Sequence, residues 1–119
     1  MLLSAFCLFT AAVLLGAVLS LSYFGLMRPR WWLGVIHGVI GSAGLIALFF
    51  SLGGPVRGVE YGVQSFGTIA AYLAMAGLLI GLGFATLRFF AKRRVTWLIG
   101  AHVTVAITAY FFLLAYVAF

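Results

Sequence analysis

Residues Trp31–Leu52 read WWLGVIHGVIGSAGLIALFFSL, a stretch without one charged side chain. An α-helix rises about 1.5 Å per residue, so about 20 such residues cross the hydrocarbon core of a bilayer. Three further stretches have the same character: about Ser4–Met27, Gln64–Phe90 and Val95–Ala118. None alternates apolar with polar residues as a barrel strand does, and an open sheet edge cannot face lipid. The expected fold is therefore all-α: a single polytopic transmembrane domain, residues 1–119, forming a four-transmembrane-helix up-down-up-down bundle.

Composition excludes a water-soluble domain. Of 119 residues 66% are hydrophobic, and only seven basic and one acidic side chains are present. The mean hydropathy is +1.30. Soluble domains carry about 25% charged residues. Cys7 is the only cysteine, so neither an intramolecular disulfide nor a cysteine-rich metal site can form. The first apolar run lacks a basic start and exceeds the length of a signal-peptide core, so it is expected to be a retained helix.

The net charge of +6 is placed, not spread. Arg28 and Arg30 fall in the first loop, with Arg88, Lys92, Arg93 and Arg94 around the third. Only Arg57 falls in the second, near Glu60. Short basic loops stay in the cytoplasm, so loops 1 and 3 are expected inside, with loop 2 and both termini outside. A bacterial inner membrane suits this pattern. The basic residues mark topology and contact with lipid headgroups. No basic–aromatic surface suits nucleic acid, which is not an expected partner.

Shifting the chain by 65 residues aligns its halves without a gap. Ala11–Gly16 falls on Ala76–Gly81, Phe24 on Phe89, Trp32-Leu33 on Trp97-Leu98, and His37 on His102. Leu and Ala matches carry little weight in apolar sequence. Trp and His are scarce here, and one register pairs both histidines and two of the three tryptophans. The pattern points to a duplicated helical hairpin with both halves in one orientation, the parallel kind of repeat. His37 and His102 then lie at equal depth on parallel helices, about 10–12 Å inside the basic end. In an up-down-up-down bundle those helices are diagonal and can face each other.

Residues three and four apart share a helix face. On the second helix the stripe is Gly34, His37, Gly41 and Gly44, with Gly38 beside it; on the fourth it is Ile99, His102, Ala106 and Ala109. Small residues on the loop-2 side of each histidine leave a trough in which a flat porphyrin fits, its iron between two neutral imidazoles. Arg30 and Arg94, with Arg28 and Arg93, lie near the level of its propionates. With only two histidines, the ceiling is one haem b per chain. Paired histidines on parallel helices of a four-helix bundle resemble the membrane b-type cytochromes, including the cytochrome b561-like group and the haem-binding anchor subunits of respiratory enzymes. The resemblance rests on Trp32…His37 and Trp97…His102 in the duplicated hairpins. It implies electron transfer within a larger membrane redox complex, with other membrane subunits as partners and a quinone as a further candidate.

Other readings compete. Glycine and alanine stripes also let membrane helices pack closely with no cofactor, which suits a structural or assembly subunit. A single histidine can ligate the magnesium of a (bacterio)chlorophyll. Intramembrane ionisable groups are scarce, however, and two in one register favour a site. A proton-coupled exporter needs an embedded carboxylate, and the only acid, Glu60, falls in a loop. Nucleophile–base sets are missing, and two histidines alone make a poor zinc site. A stand-alone enzyme is thus not expected. Trp31, Trp32 and Trp97 read as interfacial anchors.

Overall fold

A computed structural model describes residues 1–28, 30–92 and 95–119. Four long helices account for most of them: α1 Leu2–Tyr23, α2 Trp31–Leu52, α3 Phe66–Phe89 and α4 Thr96–Ala118. A short 3₁₀ turn, Val59–Tyr61, lies in loop 2. All four helices are long and apolar enough to cross a membrane, and no strand forms among the described residues. The long dimension of 48 Å exceeds the ~30 Å of hydrocarbon it must span. The helices satisfy their own backbone hydrogen bonds, which lets their exposed Leu, Ile and Phe side chains meet lipid.

Three helix ends differ from the sequence expectation by two residues or more, the first being the start of α1 at Leu2 rather than Ser4. α1 stops at Tyr23 rather than Met27 because Gly25 takes φ +80°. The N–H of Gly25 bonds Ser22 O at 3.3 Å and that of Leu26 bonds Leu21 O at 3.0 Å, a Schellman cap. α3 begins at Phe66 rather than Gln64, because Gly62, at φ +70°, and the chain after it complete the loop first. Pro29, expected at the turn of loop 1, lies outside the described residues.

Each helix packs against its sequence neighbours, and α4 closes the ring against α1. The diagonal pairs, α1 with α3 and α2 with α4, have no Cα atoms within 8 Å of each other among the described residues. The core lies towards loop 2. Ala5, Leu45, Leu48, Ala70, Ala71 and Leu113 form it. Tyr116 covers Gly67, where a Cβ would lie 2.6 Å from the tyrosine ring and 2.8 Å from Leu52. Phe66 stacks edge-on against Phe112 at 4.9 Å, and Tyr61 meets Phe119 at 5.1 Å. Thr10 Oγ1 donates to Phe6 O at 2.8 Å and accepts from the Tyr110 hydroxyl at 3.0 Å, tying α1 to α4.

The basic end is built differently. Beyond the level of Ala12 and Gly77, Ser22 is the only buried residue among those described. Its hydroxyl has no hydrogen-bond partner. A Cβ added at Gly34, Gly38, Gly83 or Gly100 would meet nothing within 4 Å. Most buried residues lie at the loop-2 end, and the two histidines stand where burial falls away.

Candidate functional site: the paired histidines

His37 is the seventh residue of α2 and His102 the seventh of α4. Both helices start at the basic end, so the imidazoles stand at equal depth, about 9 Å along each axis. Their ring centroids are 5.9 Å apart and their planes meet at 73°. The rings therefore converge across a diagonal that their backbones do not close.

The same two contacts position each ring. His37 Nδ1 lies 2.9 Å from Ala12 O, and His102 Nδ1 lies 2.8 Å from Gly77 O. A carbonyl can only accept, so Nδ1 carries the proton in both rings, and in the neutral form Nε2 keeps its lone pair. Each ring also lies over a glycine of the preceding helix. A Cβ at Gly16 would approach His37 Cε1 to 3.2 Å, and one at Gly81 would approach His102 Cε1 to 3.1 Å. Ala12 and Gly16 correspond to Gly77 and Gly81 in the 65-residue register, so the geometry repeats with the sequence. A Cβ at either position would push the imidazole by a few tenths of an ångström as it reaches for the carbonyl one turn away.

The small-residue stripes do not form the expected trough between α2 and α4. Gly44 is buried against Leu8 and Phe9 of α1, and a Cβ at Gly41 would meet Ala12. On α4, the backbone at Ala106 packs over Gly77. Ala109 is buried in the packed end, beside Phe9, Ala70 and Leu113. These residues bring the helices of each hairpin close together, as small residues do in membranes. Gly34, nearly one turn closer to the basic end than His37, and Gly38, the next residue towards loop 2, have no neighbour where a Cβ would stand.

Arg30 is not drawn into the pair. It precedes α2, with its guanidinium 6.0 Å from the Trp32 ring centroid, and lines a pocket with Met27, Arg28, Trp32 and Leu33. Arg93 and Arg94 lie outside the described residues. No group of three or more His, Cys, Asp or Glu side chains forms among the described residues. Two imidazoles alone cannot complete the coordination of an ion that takes every ligand from side chains. They suffice for a metal that brings its own macrocycle and needs only axial ligands.

Sequence reasoning found the histidines and missed what holds them. Gly16 and Gly81 are an identity within the aligned segments, and that identity was the available signal. No protein-family model, curated protein or solved structure matches this chain.

Proposed function

We propose that the protein is an integral membrane haem b subunit that carries electrons within a larger membrane redox complex, with one haem between His37 and His102. The convergence of the two imidazoles supports this reading most directly. A metal–nitrogen bond of about 2 Å on each side of one ion puts two ring centroids roughly 6 Å apart, close to the 5.9 Å between these rings. The donor set fits as well. Each Nδ1–H is committed to a backbone carbonyl, the arrangement that fixes the tautomer of a ligating histidine and strengthens it as a donor. Neutral imidazoles add no charge to the membrane interior.

A bound haem supplies a one-electron couple set by its axial ligands and surroundings. The chain's own part is to hold two rings at equal depth and to keep the loop-2 end closed with packed side chains. Few side chains are buried at the basic end, and a ring held by the two imidazoles would have its carboxylates near the cationic loops if they point that way. With those loops in the cytoplasm, the site lies nearer the cytoplasmic face of a bacterial inner membrane. The connecting loops offer little surface to soluble partners, so the expected partners are other membrane subunits, with quinone as a candidate acceptor or donor.

A second reading has its own support. The two Nδ1 bonds tie α2 to α1 and α4 to α3, so both histidines would also serve a cofactor-free structural or assembly subunit. Chlorophyll-type pigments fit less well, since one histidine per magnesium gives no reason for the rings to converge. Pyridine haemochrome assay of the purified protein, expressed with ample haem synthesis, separates these readings. One haem b per chain is expected. A chain that purifies folded and free of tetrapyrrole, or with a magnesium pigment, overturns the proposal.

A further inference from the structure

The pocket at the tip of the first hairpin is lined by Met27, Arg28, Arg30, Trp32 and Leu33, all from loop 1 and the first turn of α2. Among the described residues, none of α3 or α4 contributes. We propose that this pocket binds the phosphate of an anionic phospholipid headgroup in the leaflet at the basic end.

Charge and position carry the inference. The chain's only acid, Glu60, lies in loop 2 at the far end of the bundle. The two guanidiniums therefore have no carboxylate of the chain within reach. Guanidinium groups present paired N–H donors that match phosphate oxygens, and two on one pocket favour a single anionic headgroup over a diffuse cloud. Arg30 lies towards the Trp32 face, at the outer limit of a cation–π contact. That contact limits the orientations the guanidinium can take.

The apolar surroundings select lipid over free phosphate. Met27 and Leu33 form part of the lining. Phe24, Leu26 and Trp31 beside it are 70, 73 and 70% exposed. An exposed aromatic and aliphatic rim at a helix end belongs at the headgroup level of a bilayer, where acyl chains begin.

Native mass spectrometry of the full chain in mild detergent tests this, with phosphatidylglycerol, phosphatidylcholine and inorganic phosphate as separate probes. One phosphatidylglycerol should stay bound at collision energies that strip phosphatidylcholine. Arg28→Gln or Arg30→Gln should weaken its retention about fivefold, the scale of losing one charge near a membrane surface. Lys92→Gln should leave it unchanged. Replacing both arginines with lysine preserves charge and removes the guanidinium forks, so retention of phosphatidylglycerol should fall while its advantage over phosphatidylcholine remains. Equal retention of the two lipids, or equal weakening by Lys92→Gln, overturns the proposal. So does phosphatidylglycerol that inorganic phosphate displaces at millimolar concentration, which would make the ligand a free anion.

Discussion

The imidazoles of His37 and His102 meet at 5.9 Å across a diagonal of the bundle that no backbone contact closes. Each ring is held by its own hairpin, through Ala12 O or Gly77 O, and neither depends on the other hairpin for its orientation. Parallel orientation of the two hairpins then puts the rings at one depth. A membrane protein with a single acid has thus placed its two histidines where they converge.

Filling the glycine under either ring should displace that ring. Gly16→Leu and Gly81→Leu each put a large side chain where a Cβ alone would come within 3.2 or 3.1 Å of the imidazole. The expected cost is about 1–3 kcal/mol for overpacking, with loss of the paired-imidazole signature. Thermal melting in detergent, together with low-spin haem content, checks both halves. Full haem retention in both variants would contradict the assigned positioning.

Glycine at the packed end has a different job. Gly67→Ala drives a methyl into Tyr116 and Leu52 and should lower stability by about 1–3 kcal/mol. Gly83→Ala, in open space on the same helix, should be neutral or stabilising by up to about 1 kcal/mol through helix propensity. Opposite signs in melting temperature are the expected result for this pair.

How far the sequence carried depends on the length scale of each feature. Apolar runs long enough to span the bilayer fixed the number and order of the helices, and α2 begins and ends where Trp31 and Leu52 were expected. Scarcity made His37 and His102 visible, and the register that paired them also paired Gly16 with Gly81. The direction of the small-residue stripes was not legible. Gly41 and Gly44 satisfy a three-four spacing whichever neighbour they face; in the bundle they face α1, as does His37 through its bond to Ala12 O. The end of α1 was hidden in the positive φ of Gly25, because Leu26 and Met27 continue the apolar run beyond it.

The hydroxyl pair between α1 and α4 should matter modestly. Tyr110→Phe removes the donor to Thr10 Oγ1 but keeps the stack on Phe6, at 5.7 Å between centroids. Interhelical hydrogen bonds in membranes contribute about 0.6 kcal/mol on average and about 1.7 at most. A melting shift well beyond that range would show that the hydroxyl pair has a further role.

Orientation can be read by labelling. With Cys7→Ser as background, Val56→Cys in loop 2 should react with a membrane-impermeant maleimide in intact cells. Met27→Cys, at the basic end, should react only after lysis. The reverse pattern would invert the topology and move the histidines to the outer half of the bilayer.

The visible spectrum of the purified chain, oxidised and then reduced with dithionite, tests the central claim most directly when recorded beside His37→Ala and His102→Ala. A sharp Soret band with resolved α and β bands on reduction is expected for the wild type, and loss of the low-spin form in each variant. A low-spin spectrum that survives removal of either imidazole, or a wild-type chain with no Soret band after expression with ample haem, would contradict a haem shared between the two rings.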